Sequence, residues 1–363
     1  MNKPNVESTE YECGVSVCIP CFNEAEGIAG TVEEIIAALD NLDAGAMAEI
    51  ILVDDGSRDS TREIIDRMQA ETPADGVKVV ALGFDRNRGR GAAVRTAIQA
   101  SRGKYVVCLD ADLSYDVTHL ARIIAKFEEM PSTDVVVVSP YMRGGTTSGV
   151  PWNRLFVSRV ANWILAGFFE GKLRTVTCVV RGYRGDFVRS LPAQADGKGA
   201  HLEMLRLASV VGGNMVEIPG HLAWRAERRT AGRNWLPGSK ITTAARQHVM
   251  YGILVRPARL LKYVAIVLAL VAGWEFVVIS QATLAAWGDQ GEIFRDLWIG
   301  LSDSFSRSPH SFVILGLSSV LALQIALFLV VLKVLQLQQE ETMRLLIGIH
   351  RALPKSERDA CAG

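Results

Sequence analysis

The chain lacks most of what would place it in the commonest nucleotide-handling and redox classes. It has no Gly-Lys-Ser or Gly-Lys-Thr to close a P-loop and no GxGxxG to open a dinucleotide-binding helix, so an NAD-type oxidoreductase is disfavoured. It has no excess of charge: 39 basic residues balance 39 acidic ones, which excludes an overall basic footprint for nucleic acid. Cysteine is sparse, with six in 363 residues, and the single CxxC, Cys18 and Cys21, has no second CxxC or histidine pair to complete a zinc site. Because it lies inside an apolar run and the loop after it, core thiols in a reducing compartment are expected. The first dozen residues are polar and lack a signal-peptide core, so the folded domain is expected in the cytosol.

What is present is a repeated punctuation of strand, acidic loop and helix. Val15 to Pro20 is an apolar run closed by Asn23 and Glu24; Ile50 to Val53 is closed by Asp54, Asp55, Gly56 and Ser57; Tyr105 to Leu109 ends in Asp110, Ala111 and Asp112. Helical spacing follows the first at Ile28, Val32, Ile35, Ile36 and Leu39, and the second at Ile64, Ile65 and Met68, with Asp59 or Ser60 as N-cap. This repeat predicts a parallel sheet with its ligand loops along one edge. Side chains two apart on a strand share a face, so Asp110 and Asp112 can converge on one divalent cation; a plain polar turn is the competing reading. Between the second and third runs, Val77 to Leu82 predicts another strand. Asn87 to Val94 then opens a helix with small residues beside Arg88 and Arg90, a setting for phosphate on helix-terminal amides and guanidinium donors.

Pro20-Cys21-Phe22-Asn23-Glu24, Val53-Asp54-Asp55-Gly56-Ser57, Asn87 to Ala93 and Asp110-Ala111-Asp112-Leu113 stand in the order and spacing of family-2 glycosyltransferases. The chain resembles their polyprenyl-phosphate branch, the dolichyl-phosphate mannose synthase type, over about residues 13 to 260. The resemblance implies an α/β GT-A fold with a mostly parallel central sheet. It implies nucleotide-sugar contacts from Pro20, Phe22, Glu24, Asp54, Asp55, Arg90, Asp110, Ala111 and Asp112, with Mg²⁺ or Mn²⁺ on Asp110 and Asp112. Arg154 and Ser158 match the family's Arg-x-x-x-Ser pair, and with Arg225 they imply a clamp for the acceptor phosphate. Arg181-Gly182-Tyr183-Arg184 and Glu217-Ile218-Pro219 resemble two further family segments; His201 and Glu203 read as supporting residues. Three departures stand out: Ser114 where glutamine is frequent, Pro140 where arginine is frequent, and extra residues between Arg225 and Lys240. Arg228, Arg229 and Arg233 form a basic cluster suited to anionic lipid or to solvent.

The segment from Trp152 to Leu165 mixes two tryptophans and arginines at helical spacing, which suits either a helix in a membrane interface or an ordinary helix packed on the sheet. Two long apolar runs follow, each long enough to span a bilayer. The expected division is a polar tail (1–12), a catalytic domain (13–225), a juxtamembrane segment (226–260), a first span (261–287), an extracytoplasmic loop without a folded domain (288–310), a second span (311–335) and a cytoplasmic helix and tail (336–363). Lys240, Arg246, Arg256, Arg259 and Lys262 precede the first span while the connecting loop is acidic, which places both termini and the catalytic domain in the cytoplasm of a multi-pass plasma-membrane protein. Glu275, inside the first span, is expected against a helix neighbour or a subunit interface.

The expected function is inverting transfer of a sugar from a nucleotide-diphospho-sugar to a polyprenyl phosphate. The rival readings are a family-2 enzyme with another lipid or polysaccharide acceptor, against which the absence of Gln-x-x-Arg-Trp counts, and a non-catalytic membrane scaffold. Leu335, Leu337, Met343, Leu345, Leu346, Ile349 and Leu353 continue an apolar stripe past the second span, so self-association, as a tetramer, is expected. No nucleic acid is among the expected partners.

Overall fold

A computed structural model describes residues 13–42, 48–71, 76–166, 173–197, 199–223, 258–285 and 293–352. The chain divides into two compact units, residues 1–249 with 343–363, and residues 250–342.

The first unit is built on a seven-stranded sheet in the order β3-β2-β1-β4-β7-β5-β8. Strands β1 (Cys13–Cys21), β2 (Ala48–Asp54), β3 (Lys78–Gly83) and β4 (Gly103–Cys108) are parallel neighbours. Their central residues are mostly apolar because helices cover them; Val17, Ile19, Ile50, Ile51, Leu52, Val53, Val106 and Val107 are all fully buried. Helix α1 (Ile28–Asp40) turns Ile28, Val32, Ile35 and Leu39 inward, the spacing read from sequence. Helices α2 (Thr61–Ala70), α3 (Arg90–Ala100) and α4 (Thr118–Glu129) complete this half, and Phe127 of α4 stacks on Tyr105 with ring centroids 4.9 Å apart.

The chain runs outward from β1 to β3 and then returns past β1 to lay down β4, so the connections reverse direction between β1 and β4. Open α/β sheets bind ligands at that reversal, beyond the carboxyl ends of the strands. The loops after β1, β2 and β4 all leave from this edge. The Cys18–Cys21 segment lies within β1 with both thiols buried and free, and burial pushes the Cys21 thiol up.

Beyond β4 the sheet departs from the simple parallel repeat. Strand β7 (Arg181–Arg184) is antiparallel to both β4 and β5 (Val135–Ser139), whereas β8 (Met215–Pro219) pairs parallel to β5. Two antiparallel steps restore direction, so β5 points the same way as β4 and its loop opens on the same edge. A small second sheet joins β6 (Thr146–Ser148) to β9 (His221–Ala223). Helices α5 (Trp152–Ala166), α6 (Gly185–Arg189) and α7 (Ala200–Val210) complete the unit. The result is the mostly parallel α/β class expected from sequence.

The rest of the chain is helical where it is described: α8 (Ala258–Ala285), α9 (Ile293–Arg307) and α10 (Pro309–Ala352). Within them Leu261–Ala285 and Pro309–Leu346 are long and apolar enough to cross a membrane. Helix α9 lies within the segment 288–310, expected as a connecting loop without a folded domain. It packs on α8 through small residues: a Cβ on Gly300 would meet the Thr283 carbonyl at 2.7 Å, and the hydroxyls of Thr283 and Ser304 lie 3.2 Å apart. Phe294, Trp298, Leu301 and Phe305 remain exposed at helical spacing on α9. Glu275 is half-buried on α8.

Candidate active site

Three loops at the carboxyl edge are tied together by their own polar groups. After β1, the Asn23 amide donates to Ser57 Oγ at 2.9 Å, the Arg58 amide donates to Asn23 Oδ1 at 2.8 Å, and the Glu24 amide donates to Thr61 Oγ1 at 2.8 Å. Asn23 holds φ at 54°, a conformation asparagine tolerates better than most residues. Of the two expected N-cap residues of α2, Ser60 takes the position without a side-chain cap bond, and Asp59 just before it accepts from the Thr61 amide through Oδ1 at 3.0 Å. Partial burial opposes ionisation of Asp59, but hydrogen bonds from Thr61 and Ala25 outweigh it and lower its pKa. Phe22 and Glu24 therefore sit on a loop whose backbone is fixed by the loop after β2, with Pro20 in the last residues of β1.

The two aspartates that close β2 are both buried and have different duties. Asp54 accepts from the Ser57 amide at 3.1 Å, closing its own turn. Asp55 reaches across to the loop before α3, where Oδ1 accepts from the amides of Arg88 at 2.8 Å and Gly89 at 3.0 Å, and Oδ2 accepts from Asn87 Nδ2 at 3.0 Å. The contact is close enough that only glycine fits at 56, where a Cβ would lie 2.4 Å from the Arg86 carbonyl carbon. Asp55 is thus a brace between two ligand loops.

One expectation is corrected at α3. The first-turn amides, read as a phosphate seat, already have an acceptor: the Asp196 carbonyl takes Gly91 N at 2.7 Å and Ala92 N at 3.2 Å. Glu203 holds that capping segment by accepting from the amides of Gln194 at 3.0 Å and Ala195 at 2.7 Å, while Arg95 pairs with the Asp196 carboxylate at 2.6 Å. The small residues that open α3 are explained by this close approach, since a Cβ on Gly91 would lie 2.3 Å from the Ala195 carbonyl oxygen. Arg90 instead pairs with Asp110.

Asp110, Ala111 and Asp112 lie just beyond β4, in a turn closed by the Leu113 amide on the Asp110 carbonyl at 3.1 Å. Their proximity therefore comes from the turn and not from strand register, which ends at Cys108. The turn is held from three sides. The Leu109 amide donates to the Cys18 carbonyl of β1 at 3.0 Å, Thr31 Oγ1 donates to the Ala111 carbonyl at 2.7 Å, and Leu113 is buried at a φ of 44°. A buried leucine in that region costs of order 1–3 kcal/mol, which the surrounding contacts must offset. Ser114, the departure from the family pattern, supports Asp112: its amide and hydroxyl reach Asp112 Oδ1 at 2.9 and 2.7 Å.

The second half of the site begins at β5. The Ala223 amide donates to the Ser114 carbonyl at 2.9 Å, the Gly220 amide to the Ser139 carbonyl at 2.9 Å, and the Thr146 amide to the Gly220 carbonyl at 2.8 Å. These bonds join the loop carrying Asp112 to the loop carrying Pro140 and Tyr141. Tyr141 donates to Ser158 Oγ on α5 at 2.8 Å, and the guanidinium of Arg159 lies 5.8 Å from the Tyr141 ring centroid. Burial pushes the Tyr141 phenol up, while Ser158 and Arg159 oppose the shift. Arg154 stands one turn before Ser158.

Buried Asn162 anchors the same helix: its amide nitrogen donates to the Ser158 carbonyl and to Thr177 Oγ1, both at 2.9 Å, and its Oδ1 accepts from the Val176 amide at 2.8 Å. Glu217 fixes the segment below by accepting from the amides of Arg174 and Thr175 at 2.7 Å, although burial raises its pKa. Arg181 is fully buried and donates to the carbonyls of Val176 and His201, a supporting place for both His201 and the Arg-Gly-Tyr-Arg segment. Asn162 and Asp196 were not anticipated from sequence, where each is a single polar residue with no local pattern. Arg225, Arg228, Arg229, Arg233 and Gly238 to Lys240 lie outside the described residues.

Helix α5 has a buried side at Asn162 and Leu165 and an apolar outer side. Trp152, Phe156, Val160 and Trp163 run along one side and are exposed, the tryptophans by 80% and 79%. A helix packed on the sheet would bury such a stripe, so this face is turned away from the domain core.

Residues 16–190 match the glycosyl transferase family 2 model. That match takes in just under half of the chain, which over its sheet unit is similar to family-2 glycosyltransferases. It is 31% identical over 177 residues to an undecaprenyl-phosphate 4-deoxy-4-formamido-L-arabinose transferase of Edwardsiella ictaluri, covering 49% of this chain and 51% of that one. The namesake of Pseudomonas aeruginosa is 31% identical over 204 residues, 53% of this chain and 57% of the relative. The chain thus spans little more than half the length of these relatives; a namesake of Salmonella dublin is 27% identical over 283 residues, 76% of this chain and 78% of that one. Among solved structures, glucosyl-3-phosphoglycerate synthase from Mycobacterium tuberculosis, with Mn²⁺, uridine diphosphate and phosphoglyceric acid, superposes with a TM-score of 0.47 at 21% identity, over 65% of this chain and 76% of that one.

Proposed function

We propose that this protein transfers a sugar from a nucleotide-diphospho-sugar to a polyprenyl phosphate at the cytoplasmic face of a membrane, with inversion at the anomeric carbon. The observation that carries this reading is the placement of Asp110 and Asp112 at the β1/β4 reversal of a domain similar to family-2 glycosyltransferases, with loops from the donor and acceptor halves hydrogen-bonded to each other through Ser114 and Ala223. The relatives named for undecaprenyl phosphate support the acceptor class.

The donor set suits Mg²⁺ or Mn²⁺. Among the described residues no cluster of three or more histidine, cysteine or carboxylate groups could hold a metal by itself, so the protein's share would be the two hard oxygen donors Asp110 and Asp112, with phosphate oxygens and water completing the shell. A cation there would neutralise charge developing on the departing nucleoside diphosphate. Ser114 orients Asp112 for this duty, and Pro20, Phe22, Glu24, Asp54 and Asp55 shape the nucleotide subsite. A polyprenyl phosphate is already anionic at neutral pH and can attack without a strong protein base, so Arg154, Ser158 and Arg225 serve to hold it. Tyr141 and Asn162 keep Ser158 and its helix in position.

Two spans within α8 and α10, cytoplasmic termini and a tetramer complete the proposal. The exposed leucines and isoleucine at 335, 337, 345, 346 and 349 on α10 support assembly, to be tested by mass measurement in detergent: a monomer would defeat it. Topology is tested by labelling Ser302→Cys in a Cys361→Ser background. Ser302 is a better probe than Asp296, which is buried. Labelling from the cytosolic side would reverse the orientation.

The function itself is tested by incubating purified full-length protein with a panel of uridine and guanosine diphosphate sugars and undecaprenyl, decaprenyl or dolichyl phosphate, with and without Mg²⁺ or Mn²⁺. Metal-dependent appearance of a sugar on one lipid phosphate is expected. Nucleotide-sugar binding with no transfer to any lipid would favour a scaffold retaining the fold.

A further inference from the structure

Arg90 sits where the cation would bind. It opens α3, its guanidinium pairs with Asp110, and the carboxylates of Asp112 and Glu24 lie within its electrostatic reach. Its backbone is immobilised from behind, because the Asp196 carbonyl caps the next two amides and Asp55 holds the amides of Arg88 and Gly89. Only the side chain is left to move. A guanidinium and a divalent cation on one carboxylate repel each other, so occupancy of Asp110 by one opposes the other.

We propose that Arg90 is a positioning residue that reserves Asp110 for a cation arriving with a diphosphate: it neutralises Asp110 in the donor-free site and passes to a phosphate oxygen when cation and nucleotide bind together. The inference rests on the reading of Asp110 and Asp112 as metal ligands. The charges fit it. Asp110, Asp112 and Glu24 against Arg90 leave two negative charges, which one divalent cation balances. The diphosphate then adds negative charge that needs a cationic partner, and a guanidinium released from Asp110 is within the same site to supply it, as a fork suited to phosphate oxygens. The consequence is positive coupling: a bare cation binds weakly, and nucleotide and cation each strengthen the other by the same factor.

The test is calorimetric or electron-paramagnetic titration of Mn²⁺ into the full-length protein in detergent, alone and with saturating uridine or guanosine diphosphate. Arg90→Met should bind Mn²⁺ alone about tenfold more tightly than wild type and should lose most of the tightening that nucleotide confers. Arg90→Gln repeats the measurement should Arg90→Met fail to fold, and Arg90→Lys, which keeps the charge, should stay near the wild-type value for Mn²⁺ alone. In an Asp110→Asn background the Arg90→Met effect should shrink to a minor part of its size, as expected if the two residues act chiefly on each other. Unchanged or weaker binding of Mn²⁺ alone in both neutral variants would overturn the proposal. Failure of the wild type to bind either nucleotide would instead defeat the nucleotide-sugar reading, while the Mn²⁺-only comparison would still report on Arg90 and Asp110.

Discussion

The half of this domain proposed to hold the donor and the half proposed to hold the acceptor are built with different emphasis. Around β1, β2 and β4 the loops are held by carboxylates and hydroxyls bonded to backbone amides, as Asp55 holds Arg88 and Gly89, and the chain accepts left-handed φ at Asn23 and Leu113 to bring them together. Around α5, Glu217 and Asn162 also accept from backbone amides, but bonds between side chains, Tyr141 on Ser158 and Asn162 on Thr177, join them, and large apolar groups face outward. A backbone-braced site suits a ligand of fixed shape such as a nucleotide diphosphate, whereas a helix with a polar anchor and an apolar outer face suits a phosphate that enters on a lipid tail.

That contrast predicts a graded series of effects. The largest should come from Asp112→Asn, which we expect to cut turnover by roughly 10²–10³-fold with an unchanged melting temperature, since the change removes charge at the point where the leaving group develops it. Near-normal rates at saturating Mg²⁺ or Mn²⁺ would remove the carboxylate pair from the chemistry. Asp55→Ala should act on stability as well as on donor binding. It leaves the buried-side amides of Arg88 and Gly89 without their acceptor, and denaturant unfolding should show a loss of about 2–3 kcal/mol. A variant with full stability and impaired nucleotide binding would make Asp55 a direct ligand instead of a brace.

On the acceptor side, Arg154→Ala should lower kcat/KM for the lipid phosphate by roughly tenfold to a hundredfold, the equivalent of one charge-assisted contact of about 1.5–3 kcal/mol. Nucleotide-sugar affinity measured without acceptor should be unchanged; an equal loss there would move Arg154 to the donor half. The smallest effect on folding should come from Trp163→Ala, within about 0.5 kcal/mol, because that ring is 79% exposed, while Leu165→Ala on the buried side of the same helix should cost about 2–5 kcal/mol. Brominated-lipid quenching of tryptophan fluorescence should weaken in Trp163→Ala. Equal destabilisation by the two substitutions would mean that α5 buries both faces.

The same difference explains how much could be read before the structure. The donor half announced itself through short apolar runs closed by acidic loops, because each run forms a strand and each loop is adjacent to it in sequence; β1 to β4, α1 and α2 fell where periodicity placed them, and Asp110 and Asp112 came to the sheet edge. The antiparallel β7 is only four residues long, and β6 and β9 three each, too short for periodicity to register. The amides of α3 were misread because their acceptor, the Asp196 carbonyl, is more than a hundred residues away. In the connecting segment Asp296, Asp303 and Arg307 interrupt the apolar pattern, although Phe294, Trp298, Leu301 and Phe305 keep the helical spacing of α9. In the acceptor half, Arg154 and Ser158 could be proposed only through a family resemblance, and Asn162, which fixes their helix, carried no signal at all.

The most direct test of the two-half account is to reconstitute the full-length protein in lipid nanodiscs containing undecaprenyl phosphate, add a nucleotide-sugar that it binds together with Mn²⁺, and measure the lipid products by mass spectrometry for wild type and Asp112→Asn. The account predicts one sugar residue added per lipid phosphate by the wild type, dependent on Mn²⁺, and almost none by the variant. Nucleotide-sugar binding by the wild type with no sugar on the lipid phosphate, or equal product from both proteins, would contradict it.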